Sequence, residues 1–217
     1  MIRTAACSLG AAVLLCFAAA ACGDSGTNDV VRTAIPEKGP PAAFTGDGPL
    51  DFIIDAMLRA DVIEIAGLTG YSRVACKKGT AEEADGAPLC RENERDGESV
   101  EVLPSSACGN GWVRPEDVPV AYAYNLGPEK PELFEVFKPR FGPTTYGGGF
   151  GAQQTVVIRS RATSDGKPAG VALHVFNGSV VWIEAGCSGL SELTAPGKVQ
   201  AVIFDPKHPA ASRSPTP

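Results

Sequence analysis

The feature that most constrains this chain is an uncharged apolar run at its beginning, because it decides which residues take part in the fold. Arg3 is the only charged side chain before Asp24, and Thr4 to Ala21 is dominated by Ala, Leu, Val and Phe. A short basic start, an apolar stretch and then small residues is the plan of a secretory signal. The run is slightly shorter and more alanine-rich than the roughly 20 predominantly apolar residues a spanning helix needs. No later stretch approaches that length, so a second membrane span is not expected.

The end of the run resembles the lipobox of bacterial lipoproteins, carried by Ala19-Ala20-Ala21-Cys22-Gly23, with Ala19 standing where that family usually has Leu. The resemblance implies that the Cys22 thiol receives a diacylglyceryl group and that the chain is cut just before it. Two acyl chains suffice for stable anchoring, where one gives only marginal binding. The expected location is extracytoplasmic, with membrane lipid engaged through Cys22.

Cysteine counting agrees with this reading. Of seven cysteines, Cys7 and Cys16 leave with residues 1–21 and Cys22 takes lipid, so Cys76, Cys90, Cys108 and Cys187 remain. An even number in an exported chain reads as two disulfides. Three pairings are possible. Cys76–Cys90 is preferred because the segment between them is polar and loop-like, which leaves Cys108–Cys187. No two of the four have C-x-x-C spacing, and the chain holds only two histidines, so no metal site is expected.

The full chain carries a formal net charge of −6, and loss of Arg3 makes it −7. With no basic run or patch, nucleic-acid binding is disfavoured. Residues 22–48 hold the lipidated cysteine and a Gly-, Pro- and polar-rich stretch that reads as a flexible tether of about 25–30 Å typical span. Residues 205–217 read as a loose tail. A single α+β domain is expected over 49–204, long enough for one core.

Within that domain, Leu50, Ile53, Ile54, Met57 and Leu58 recur at helical spacing behind a Pro49 start, with Asp47 or Gly48 as cap. Asp61 can cap a second short helix ended by Gly67 or Gly70. The pattern then changes to strands: Tyr71–Cys76, Val100–Leu103, a weak alternation over Val120–Tyr124 and a β-branched run over Thr155–Arg159. Leu133–Phe137 reads as strand or helix. Asp165-Gly166 suits a tight turn into the next strand, and Asn177-Gly178 a two-residue hairpin. In that hairpin register Val175 faces Val180, Leu173 faces Trp182 and Val171 faces Glu184, placing His174 and Glu184 on opposite faces. Helices followed by a mostly antiparallel, possibly curved sheet make an α+β plan. In element order, residues 49–190 resemble the cone-shaped folds related to nuclear transport factor 2, which implies a sheet curved around a pocket.

No motif carries a defined chemistry or a cofactor. Tyr146-Gly-Gly-Gly-Phe-Gly151 lacks the Lys-Ser/Thr and the following helix of a phosphate-cradling loop. Ser164-Asp-Gly-Lys167 has serine–lysine spacing but falls in a turn. Glu92-Asn-Glu94-Arg-Asp96-Gly97 echoes a calcium loop, yet Leu103 stands where the closing Glu belongs. His174 is the lone histidine of the expected domain and the base that a histidine-dependent mechanism would need. Trp182 and Trp112 are candidate pocket or contact residues, and Asp117 is an alternative base. The expected function is therefore a binding or interaction module of the cell envelope, with an unknown envelope protein or small ligand as partner. The alternative is a small pocket enzyme of hydrolase or isomerase type.

Overall fold

The computed structural model describes residues 44–107, 111–140, 152–163 and 166–208. The expected signal, Cys22, most of the tether, Cys108, the Tyr146–Gly151 loop, Ser164, Asp165 and the end of the tail lie outside the described residues. No helix among the described residues is long and apolar enough to cross a membrane.

Two helices come first, α1 (Gly48–Leu58) and α2 (Val62–Gly67). The Asp47 side chain accepts from the Leu50 N–H and Asp61 from the Glu64 N–H, the two expected caps. Ordered contacts begin before α1, earlier than residue 49. Asp51 is buried in the first turn and accepts from Thr45 N, Thr45 Oγ1 and Gly46 N. Phe44 packs edge-on against Phe204.

The strands β1 (Ser72–Ala75), β2 (Ser99–Ala107), β3 (Gly111–Val113), β4 (Glu132–Pro139), β5 (Gln154–Ala162), β6 (Pro168–Phe176), β7 (Ser179–Ala185) and β8 (Val199–Phe204) form an open sheet. Its order is β1-β2-β7-β6-β5-β4-β8, with β3 also paired to β2. Every pairing is antiparallel except β2 with β7. The chain is thus α+β, a few helices on a mostly antiparallel sheet.

The weak alternation over Val120–Tyr124 proved misleading. These residues lie in α3 (Val118–Leu126). Val118, Tyr122 and Leu126, four apart, are all fully buried, and that helical stripe overrides the period-two pattern. Gly127 ends the helix at φ +67°, the left-handed region glycine tolerates. The Tyr122 hydroxyl meets Thr69 Oγ1 at 2.9 Å, and Thr69 donates in turn to the Ile65 carbonyl, tying α3 to the end of α2.

Side chains from α1, α2 and α3 bury the inner face of the sheet, including Ile53, Ile54, Tyr122, Val156, Leu173, Val175 and Ile183. The outer face has a smaller apolar patch of Phe137, Val157 and Ala172 under the short helix α4 (Leu190–Leu193). A third cluster surrounds the Cys76–Cys90 disulfide with Val100, Val102 and Trp112. The other expected bridge includes Cys108, which is outside the described residues.

Candidate functional site

A polar row crosses the outer face of the sheet, and a β-bulge creates it. The hairpin begins as its turn residues dictate, with Val175 opposite Val180. Asn177 and Gly178 both have positive φ. One step on, the register shifts, and His174 faces Trp182, Leu173 faces Ile183 and Ala172 faces Glu184. Val181 is the extra residue. Every β7 side chain beyond it therefore points to the face opposite the one that simple alternation assigns. The shift occurs where a second segment grips the strand: Val180 N–H donates to Leu68 O and Gly70 N–H donates to Val180 O.

The result corrects the expected placement of His174 and Glu184 on opposite faces. His174 Nε2 lies 3.2 Å from Glu184 Oε2, and Nδ1 lies 3.1 Å from Thr155 Oγ1. Lys198, just ahead of β8, ion-pairs with the other carboxylate oxygen of Glu184. The Trp182 indole stacks on the imidazole, centroids 4.2 Å apart and planes 16° from parallel. Ser106 of β2 is the register partner of Glu184.

Protonation follows from these contacts. Burial would push the Glu184 carboxyl up, but hydrogen bonds from His174 and Lys198 hold it below its usual range. Burial pushes the His174 pKa below its ordinary 6.5 despite the opposing pull of Glu184. The ring is neutral at pH 7. An ionised Glu184 can only accept, so Nε2–H donates to it, and the unprotonated Nδ1 accepts from the Thr155 hydroxyl.

This hydroxyl–imidazole–carboxylate chain has the order of a nucleophilic relay. Its hydroxyl and imidazole are closed off from solvent. Thr155 is 0% exposed and His174 6%. Two further polar atoms of the row, Ser106 Oγ and Trp182 Nε1, are buried without a hydrogen-bond partner among the described residues.

The other residues singled out by sequence lie elsewhere. Trp112 on β3 is half-buried against the Cys76–Cys90 cluster and donates its indole N–H to the Gly86 carbonyl at 2.7 Å. Asp117 follows in a short 3₁₀ turn and pairs with Arg91 at the surface. Their partners, Gly86 and Arg91, belong to the segment around the Cys76–Cys90 disulfide.

The calcium-like stretch makes its hydrogen bonds within the same region. Lys78 Nζ donates to the Arg91 and Glu92 carbonyls at its start. Asp96 accepts from Lys78 N, and Glu94 from Arg91 N and from Arg114. Glu94 also lies near Cys76 and Cys90, but both sulfurs are consumed in the disulfide.

Sequence reasoning placed Glu184 on the face opposite His174 and missed Thr155 and Lys198. The missing signal was the bulge, which depends on Leu68 and Gly70 more than a hundred residues earlier. No known protein family, curated protein or solved structure matches this chain.

Proposed function

We propose that this protein is a lipoprotein held on the outer side of a membrane through Cys22, and that its folded domain is a binding or interaction module of the cell envelope. The signal-like first 21 residues, the small residues before Cys22 and the disulfide Cys76–Cys90 support the location. The register supports the second bridge as well. Ala107 and Ala185 are neighbours on the parallel pair β2 and β7, so Cys108 and Cys187 follow from the same end of adjacent strands.

The observation that carries the module reading is the enclosure of His174. The imidazole is neutral, both nitrogens are occupied, and the hydroxyl beside it is sealed from solvent. A general base must reach the proton it removes. The domain also exposes large apolar side chains: Ile63 on α2 and Val120 and Tyr124 on α3 are 69%, 70% and 73% exposed.

Two measurements test the reading. Cys22→Ala should either release the protein into the soluble fraction or leave it uncleaved; normal processing with membrane retention refutes the anchor. Turnover of simple ester or phosphoester substrates that disappears in His174→Gln would overturn the module reading in favour of a pocket enzyme.

A further inference from the structure

The turn that follows Cys90 brings a third metal-type ligand to the Cys76–Cys90 disulfide. A carboxylate oxygen of Glu94 and the two sulfurs all lie within 4.8 Å of one another. The Arg95 carbonyl oxygen is 3.2 Å from Cys90 Sγ and 3.5 Å from Cys76 Sγ. Backbone bonds hold both cysteines independently of the sulfurs. Cys76 N–H donates to the Glu98 carbonyl, Gly97 N–H to the Cys76 carbonyl and Cys90 N–H to the Lys77 carbonyl. The cysteine Cα atoms are 4.9 Å apart, so opening the sulfur–sulfur bond leaves two thiols side by side. Glu94 is fixed in turn. Arg91 N–H and the Arg114 guanidinium both donate to its Oε2, each at 2.7 Å, which leaves Oε1 for another partner. The Arg91 N–H, helped by Arg114, keeps this carboxyl below its usual range, so it is ionised at neutral pH.

From this geometry we infer that Cys76, Cys90 and Glu94 form a metal site in the reduced protein, which takes a thiophilic divalent cation of the Zn²⁺ type once the disulfide is opened. A dithiol reductant supplies the two electrons. Its first thiolate attacks the half-buried Cys90 sulfur and expels the Cys76 thiolate. Its second sulfur then displaces Cys90, and the reductant leaves with its own two sulfurs joined. The ion binds both cysteines as thiolates, and their two protons pass to solvent. Two thiolates, the carboxylate and the Arg95 carbonyl make a four-coordinate set of the kind Zn²⁺ accepts, whereas thiolates are poor donors for Mg²⁺ and Ca²⁺. The charges also balance, because three anionic ligands face the divalent ion and the Arg114 guanidinium. Arg114 is not displaced; it stays on Oε2 and orients the carboxylate. The segment between β1 and β2 thus has two closures, a covalent bond when oxidised and an ion when reduced. The inference does not depend on attachment through Cys22 or on the His174 row.

The test uses the full chain carrying Cys7→Ser, Cys16→Ser and Cys22→Ser. It is reduced with dithiothreitol, freed of the reductant without air and titrated with Co²⁺. A thiolate-to-cobalt charge-transfer band should grow to saturation, be bleached when Zn²⁺ displaces Co²⁺, and stay unchanged in excess Mg²⁺ or Ca²⁺. Adding Cys108→Ser and Cys187→Ser should leave the band in place, and Cys90→Ser should remove most of it. Glu94→Gln should weaken Co²⁺ binding about tenfold or more, since loss of an outer partner alone costs about 10–100-fold. A second readout needs no substitution at the site. Zn²⁺ should slow alkylation of Cys76 and Cys90 in the reduced protein, followed peptide by peptide, more than that of Cys108 and Cys187. Absence of the band from the reduced protein overturns the inference. So does an equal band in Cys90→Ser, a Co²⁺ affinity unchanged in Glu94→Gln, or Zn²⁺ protection confined to Cys108 and Cys187.

Discussion

His174 couples the outer face of the sheet to pH. In the unfolded chain its imidazole titrates near its ordinary 6.5, whereas burial lowers the folded value. Between those two values the unfolded chain binds a proton that the folded one refuses. Stability therefore falls as pH drops through about 6.5, and the loss ends once pH passes below the folded value. One proton gives a slope of at most about 1.4 kcal/mol per pH unit. Glu184, held below its usual range, adds a loss of the same sign at lower pH as its carboxylate takes a proton. Urea midpoints should thus fall from pH 7.5 to 5.5 in the wild type. The fall should be much shallower in His174→Gln, which has no proton to bind. A wild-type midpoint flat across that range would contradict the buried neutral ring. Thr155→Val keeps the shape but leaves Nδ1 without its donor, a loss of about 1–3 kcal/mol in the same assay.

At the scale of elements, the helices show what local sequence can and cannot specify. α1 was legible because its cap and its buried stripe sit within eleven residues: Asp47 at one end, then Leu50, Ile53, Ile54 and Met57 at helical spacing. α3 was legible only in part. Val118, Tyr122 and Leu126 carry its stripe, but Val120 and Tyr124 on the opposite face are equally apolar, and the two periods overlay. The exposure of that second face gives a contrast to measure. Leu126→Ala should cost about 2–5 kcal/mol in urea unfolding. Val120→Ala, on the solvent side of the same helix, should change stability by no more than about 0.5 kcal/mol. In β7 the turn was readable from Asn177-Gly178, yet the bulge at Val181 was not, because its cause is the pairing of Val180 with Leu68 and Gly70. The candidate site was hidden by that one residue. Deleting Val181 would remove the bulge and leave Trp182 opposite His174 and Glu184 opposite Ala172, on the same outer face. The expected outcome is that a cooperative urea transition is kept, with the pH dependence of the His174 row; loss of the transition would contradict Val181 as the extra residue.

At the scale of the whole molecule, the segment between β1 and β2 has almost no core of its own and is held at its base. Cys76 and Cys90 close it, Lys78 bridges the Arg91 and Glu92 carbonyls, and Trp112 and Arg114 reach across from β3 and the residue after it to the Gly86 and Leu89 carbonyls. The polar contacts depend on the closed loop, so the bridge carries most of the ordering. In the chain-entropy view a loop of about 15 residues is worth about 3 kcal/mol, and the roughly 80-residue loop of a Cys108–Cys187 bridge more than about 4 kcal/mol. These magnitudes separate the two bridges in one experiment. Replacing Cys76 and Cys90 together by Ala should lower the unfolding free energy by about 3 kcal/mol under oxidising conditions. Adding reductant to that double variant then isolates the remaining pair. If Cys108 and Cys187 are joined, stability falls by a further amount of about 4 kcal/mol, and a non-reduced digest yields one linked peptide holding both cysteines. If they are separate thiols, the reductant changes nothing and both alkylate without it. The second outcome would leave one disulfide in the chain and remove the even count that supports assigning Cys22 to lipid, so this measurement bears on the anchor as directly as mutation of Cys22 itself.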